Sequence, residues 1–443
     1  MSKGNFEAFH AIKRDVEELN AQETNGQYWF QASEVSYRSW VPQARTGAVL
    51  IHIPGTYRFV LFGGVNSEPM DGIAELSVTG ANCKWAIIET KKHDALTAGN
   101  EKIKGRYGFQ GCYYNSKIYF FFGCQIFDKL KKERTCLNEI VIFDPCSHEI
   151  SLKFPFHRPE RMLNPRKYFA GFFLHDTYYC HGGIDTSAKI LDSFISINLK
   201  TFQWSDVKYS RGPPLPMTKG SANAAELEDF PAHCYGHEMV VVAYANREYV
   251  KIDSVGPIDY GSEKHYIKHE GVYMFGGVIG KTTSESRLTD TLFIMQIEED
   301  AQPRWRAIET TGKPPIGRFH YGLDYYPQGN LLVVFGGRRF AAGNGESEFV
   351  TQIAVLRMDS LQWFEVFFKG NNMPPDLYNF SSAIYDDELI LFGGMQGNYR
   401  QTQKLHRIQM SDRRTTYEQP QSVGSGLAFD DLNKHDDECM ASQ

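Results

Sequence analysis

Short apolar runs, each closing on glycine, recur along this chain and set its organisation. The clearest is 330–338 (NLLVVFGGR), whose branched and large side chains suit a buried strand. Its two glycines let the backbone turn with positive φ and pass close to a neighbour. The phrase returns at 58–64 (RFVLFGG), 117–124 (KIYFFFGC), 177–183 (TYYCHGG), 271–277 (GVYMFGG) and 388–394 (ELILFGG). Taken at the first glycine, the copies fall at 63, 123, 182, 276, 336 and 393, a regular period broken by one long interval between 182 and 276. Such a period marks a repeat architecture, in which a unit buries its faces only against its neighbours.

Each unit offers strand-sized pieces. In the fifth copy they are 318–326, 330–335, 349–358 and 362–368, the last carrying Trp363. Trp85, Trp204 and Trp305 hold the same place elsewhere. In the second copy Ile150 or Leu152 replaces it, and Gly123-Cys124 stands for the double glycine. Four antiparallel strands that must pack sheet on sheet describe a propeller blade. A hydrophobic strand, then Gly-Gly, then an aromatic residue and a Trp at set distances resembles the kelch repeat. The expected fold is all-β, a six-bladed kelch β-propeller over residues 27–418.

The flanks differ in pattern. Phe9, Ile12, Val16 and Leu19 are spaced as one face of an amphipathic helix, so residues 1–26 read as a helical arm. That arm either packs on its own domain or contacts a partner. Residues 419–443 are polar and acidic, with Asp430, Asp431, Asp436, Asp437 and Glu438, and read as a disordered tail. The long interval implies an insertion in blade four. Starting that blade at Lys219 loops out about residues 228–268, with a hairpin from 239–244 and 248–252; a rival alignment starts it at His233. The first alignment is preferred. For ring closure, the segment around Trp29 (QYWFQ) is favoured over 405–417 as the outer strand of the last blade.

Composition narrows the class. A net charge of −6 offers no global reason to bind nucleic acid or an anionic membrane, and no apolar run is long enough to span a bilayer. Eight cysteines without a CxxC pair, several inside apolar strands, suit a reducing compartment; the expected location is cytoplasmic, with the nucleus open.

Candidate chemistry is cationic. A basic residue stands near the start of five first strands: Arg45, Arg106, Arg166, Lys219 and Arg318, with Asn379 in the sixth. First strands line the channel of a propeller, so these groups are expected to gather round one mouth and focus positive potential there. The loops after the glycines add Arg338, Arg339 and Arg400, with Tyr399 as an aromatic wall. For a single arginine, a loop contact to a carbonyl or acid is the competing reading. Some kelch proteins hold peptide carboxylates with arginines at matching places, so the resemblance implicates Arg45, Arg106, Arg166 and Arg318; of the serines those relatives bring, only Ser221 and Ser381 sit comparably.

Basic clusters at Lys129, Lys131, Lys132 and Arg134, and at Arg158, Arg161, Arg166 and Lys167, lack any nucleic-acid motif and read as solvated charge. No Gly-x-Ser-x-Gly, HExxH, phosphate loop or paired-cysteine zinc site occurs. Kelch iron-binding specifier proteins use Glu-x3-Asp-x3-His, but Ala225 stands in the Glu position ahead of Asp229 and His233. The expected function is a non-catalytic interaction scaffold, without metal or cofactor, that holds an acidic or C-terminal peptide. Substrate reception for ubiquitin ligation is one use; an enzyme with a metal site in the channel is the rival.

Overall fold

The computed structural model describes residues 27–37, 39–92, 103–125, 135–215, 228–242, 271–282, 285–296, 303–341, 347–368, 376–397 and 399–410. The helical arm, the acidic tail, Lys219, Ser221 and the Lys129–Arg134 cluster lie outside these residues. Among the described residues there is no α-helix, and most strands fall into six antiparallel four-stranded units, with short strands added at their edges.

Sheet I runs Thr46–His52, Arg58–Val65, Ile73–Thr79, Asn82–Ile88. Sheet II runs Gln110–Tyr114, Lys117–Phe121, Ile140–Phe143, Glu149–Lys153. Sheet III runs Ala170–Leu174, Thr177–His181, Phe194–Asn198, Trp204–Asp206. Sheet IV runs Glu238–Val242, Gly271–Phe275, Leu292–Gln296, Arg304–Ile308. Sheet V runs Gly322–Tyr326, Leu331–Phe335, Ala354–Arg357, Gln362–Phe368. Sheet VI has Ser381–Tyr385, Glu388–Phe392 and Leu405–Gln409, and takes its outer strand from the N-terminal side.

That outer strand is Gln27–Glu34. Its second half pairs antiparallel with Leu405–Gln409, Ala32 opposite Ile408, while its first half lies parallel to the outer strand of sheet V, Phe30 opposite Phe368. The ring is thus clasped by the segment around Trp29, as expected.

Leu331–Phe335 is buried at every position because sheets cover both of its faces. This double burial turns the strand from an alternating pattern into a continuous apolar run. Six hydrophobic clusters fill the spaces between I and II, II and III, III and IV, IV and V, V and VI, and VI and I. Trp85, Trp204, Trp305 and Trp363 are buried among them, and Ile150 takes the tryptophan's place in sheet II.

Three expectations change. The inner strand of sheet IV is Glu238–Val242, so the His233 alignment holds and the Lys219 alignment does not. Residues 228–242 belong to the ring; the insertion falls between 242 and 271, and Met239 lies in the inner strand rather than an inserted hairpin. In sheet II, Phe122-Gly123 occupies the double-glycine place, with φ +59° and +94° matching +67° and +87° at Gly63-Gly64. Finally, 349–358 is divided: Ala354–Arg357 is the third strand, and Ser347–Phe349 pairs with Arg338–Phe340 in a separate hairpin.

Candidate functional site

Two rings of backbone hydrogen bonds tie the sheets together where the inner strands begin. In the first, the second glycine of each pair donates to the next sheet: Gly64, Gly123, Gly183, Gly277, Gly337 and Gly394 bond the carbonyls of Arg106, Arg166, Cys234, Arg318, Leu377 and Arg45 at 2.8–3.0 Å. A Cβ at Gly183 would lie 2.8 Å from the Lys167 carbonyl, so glycine is needed there for approach as well as for its φ of +93°.

The second ring lies on the axis. Gly47 N–H donates to Asn379, Asn379 to His320, His320 to Gly236, Gly236 to Tyr168, Tyr168 to Gly108, and Gly108 back to Gly47, at 2.7–3.2 Å. All six residues have φ between +53° and +66°. The channel is therefore stoppered at this end by main chain. Below the stopper, the inner strands enclose a cavity of about 300 Å³.

This geometry decides the fate of the predicted arginines. Arg45, Arg106, Arg166 and Arg318 are buried, and each Nε donates to a carbonyl two residues back: Gln43 at 3.0 Å, Lys104 at 3.2 Å, Asn164 at 3.3 Å and Ile316 at 3.1 Å. Each Nη1 donates to the carbonyl at the first-glycine place, namely Gly63, Phe122, Gly182 and Gly336, at 3.0–3.1 Å. Arg106 also pairs with buried Glu139, and Arg318 donates to the Gln352 carbonyl and side chain at 2.9 Å each. Burial pulls Arg45 and Arg318 down to about 10. The expected quartet at an open mouth is corrected: these guanidinium groups fasten the loop entering each sheet to the end of its second strand, because Nε and Nη1 of each are taken by chain carbonyls. Cys234 and Leu377 take the same place in sheets IV and VI. Ser381 is likewise committed, its Oγ donating to the Ala48 carbonyl at 2.9 Å.

The loop residues behave differently. Arg338 follows the double glycine of sheet V, and its guanidinium lies 4.6 Å from the Tyr378 ring, 5.7 Å from Tyr399 and 5.8 Å from Phe349. It bonds the Tyr378 side chain, yet its Nε finds no hydrogen-bond partner among the described residues. Tyr399 is 60 % exposed and packs edge-on against Phe349. Arg339 pairs with Glu348 at 2.5 Å across the small hairpin, and Arg400 is exposed in the same loop as Tyr399.

Sequence reasoning did not single out Lys167 for this face. Its ammonium lies 5.3 Å from the Tyr107 ring and 5.2 Å from Tyr168. Burial, then Arg338 and Lys167, hold the stopper's His320 down to about 3, so the two cations act on one imidazole from sheets III and V. Their convergence was hidden because Lys167 looks like part of a solvated cluster.

The cavity side has the opposite character. Gln110 donates to Glu238 at 3.2 Å across the channel, and Ser382 donates to Asp324 at 2.7 Å. Burial, then Asp324, pushes Glu238 up to about 8, and burial pushes Asp324 up to about 6. His181 and His237 pair at 3.0 Å between sheets III and IV, where other interfaces pack Phe rings edge-on or tilted. Among the described residues no three His, Cys, Asp or Glu side chains group as metal ligands.

Sheets packed face to face around a stoppered axis define a β-propeller. The solved structure of YjhT is similar over 82 % of this chain and 95 % of that one, with a TM-score of 0.55 and 11 % identity. Residues 265–428 match the KLHDC2/KLHL20/DRC7 Kelch-repeats domain. Kelch repeat-containing protein 2 of Saccharomyces cerevisiae is 24 % identical over 236 residues, 48 % of this chain and 26 % of that protein. Dynein regulatory complex subunit 7 of Chlamydomonas reinhardtii is 29 % identical over 121 residues, 27 % of this chain and 9 % of that one. A probable serine/threonine-protein kinase of Dictyostelium discoideum is 27 % identical over 123 residues, covering 28 % and 8 % respectively. The chain thus spans only a small part of each of these relatives. Among the described residues no helix is long and apolar enough to cross a membrane.

Proposed function

We propose that this six-bladed kelch propeller is a non-catalytic protein-binding module, and that it takes an acidic or carboxylate-bearing peptide segment on the face where the glycine loops emerge. The observation that carries the reading is Arg338, whose guanidinium is held among the rings of Tyr378, Phe349 and the exposed Tyr399. A planar guanidinium held by aromatic rings is oriented in advance for a carboxylate, and such charge-assisted bonds are stronger than neutral ones. Arg339 and Arg400 flank it, and Lys167 adds positive potential across the stopper. Reception of substrates for ubiquitin ligation is one role such a module can serve.

The test is peptide binding in a salt series. Arg338→Ala and Tyr399→Ala weaken binding of an acidic or free-carboxylate peptide library by about tenfold or more, while leaving thermal stability within about 1 °C. Affinity of the wild type falls as salt rises. Unchanged binding by both variants removes this reading.

A further inference from the structure

The loop leaving sheet II brings two thiols together. Cys124 follows Gly123, and Cys136 lies where the chain returns toward the third strand; the two are antiparallel bridge partners. Gln125 N–H donates to the Thr135 carbonyl at 2.9 Å, and Leu137 N–H donates to the Gly123 carbonyl at 2.7 Å. The hydrogen bonds therefore flank the cysteine pair and do not pass through it. Such a non-hydrogen-bonded pair sets its Cα atoms about 4.5 Å apart with side chains on the same side. That separation lies within the range of about 4.4–6.8 Å that a disulfide requires. The thiols already contact each other, Cys124 hydrogen-bonding to Cys136.

The pair lies beneath an aromatic cover. Cys124 is fully buried and Cys136 is 4 % exposed, under Tyr107, Tyr168 and Val65. Cys136 N–H donates to Thr186 Oγ1 at 3.1 Å, which fixes the returning strand in this register. Both cysteines are reduced here, and the nearby Lys167 ammonium is the cation that offsets negative charge on Cys136. The hydrogen bond that Cys136 makes to Cys124, then burial, pushes the Cys136 thiol up, which keeps its thiolate fraction low and its attack on an oxidant slow.

We propose that Cys124 and Cys136 are a dithiol switch, closing to an intrachain disulfide against a small disulfide oxidant of the oxidised-glutathione type. Cys136, the less buried sulfur, gives up its proton and attacks one oxidant sulfur; the oxidant S–S bond breaks and one thiolate leaves. Cys124 then gives up its proton and attacks the Cys136 sulfur of the mixed disulfide, forming the Cys124–Cys136 bond and expelling the second thiolate. The two leaving thiolates take up the two protons. The dithiol loses two electrons and two hydrogens, and the oxidant gains both as two free thiols. The product staples the sheet II loop on the face where the glycine loops emerge, whatever that face binds.

The full chain is equilibrated against mixtures of reduced and oxidised glutathione, quenched with an alkylating agent, denatured and digested with trypsin. Lys129, Lys131, Lys132 and Arg134 lie between the two cysteines, so digestion leaves two peptides joined only through sulfur. The expected result is a linked 124/136 peptide pair whose fraction rises with oxidised glutathione and returns to zero with reductant. Exposed Cys146, half-buried Cys112, and buried Cys180 and Cys234 stay outside that link. Cys124→Ser and Cys136→Ser each abolish it, and Cys146→Ala leaves it unchanged. The proposal is overturned if wild-type Cys124 and Cys136 remain alkylatable at the most oxidising mixture, or if the link forms to a different cysteine. Because the primary readout is on the wild type, a variant that folds poorly does not blunt the test.

Discussion

Replacing Arg106 by Met separates a structural arginine from a ligand-binding one. Its guanidinium is fully buried and serves the Lys104 carbonyl at 3.2 Å, the Phe122 carbonyl at 3.1 Å and the Glu139 carboxylate. Met keeps most of the volume but strands Glu139, whose side chain is only 4 % exposed. Leaving one charge of a buried pair uncompensated costs about 3–5 kcal/mol. For a ring spanning residues 27–410, unfolding entropy is roughly 0.8 kcal/mol per degree, so the melting temperature drops by about 4–6 °C. Scanning calorimetry on wild type, Arg106→Met and Arg106→Met/Glu139→Leu measures this directly. The double variant recovers at least half of the loss, since both stranded charges are gone and the site is apolar. Arg318→Met loses less than Arg106→Met, because Arg318 faces carbonyls and the Gln352 amide with no acid left behind. A melting temperature unchanged by Arg106→Met, together with lost peptide binding, would show that the guanidinium belongs to a ligand site after all.

Two further outcomes follow from the clasp and the channel. Phe30, 1 % exposed in the cluster between sheets V and VI, is worth about 3–5 kcal/mol when cut to Ala, read as a lower melting temperature; a neutral result would mean that the N-terminal strand does not close the ring. Glu238 is held up at about 8 in the folded chain against an ordinary 4.5, so the folded state binds the extra proton between those values. Stability therefore falls as pH rises through that window, and Glu238→Gln flattens the fall in a pH series of denaturant melts. Equal slopes for both proteins would mean that Glu238 is solvated like a surface carboxylate.

The repeat was legible because double burial writes each second strand as an unbroken apolar run, and the turn behind it demands glycine. Closure by the segment around Trp29 was legible too, since an outer strand without a preceding partner needs an acceptor. Sheet IV misled for a physical reason: the segment entering its inner strand carries Cys234 where an arginine was sought, and the basic residue at Lys219 mimicked the missing signal. Phe122 likewise concealed the first-glycine place, because a left-handed backbone at a phenylalanine leaves no mark in the letters.

The candidate site shows the limit most plainly. A periodic arginine states that a cation recurs once per blade, and it says nothing about which groups surround it. In the folded chain, Arg45, Arg106, Arg166 and Arg318 meet carbonyls from their own loops before they can reach a mouth, while Arg338 lies among aromatic side chains and bonds that of Tyr378. Amino-acid order alone determined the repeating strands, their apolar faces and the glycines between them, since these depend on neighbours within a few residues. Only the closed ring decided which charges were consumed as fasteners and which stayed available, because hydrogen-bond saturation depends on carbonyls supplied from distant parts of the chain.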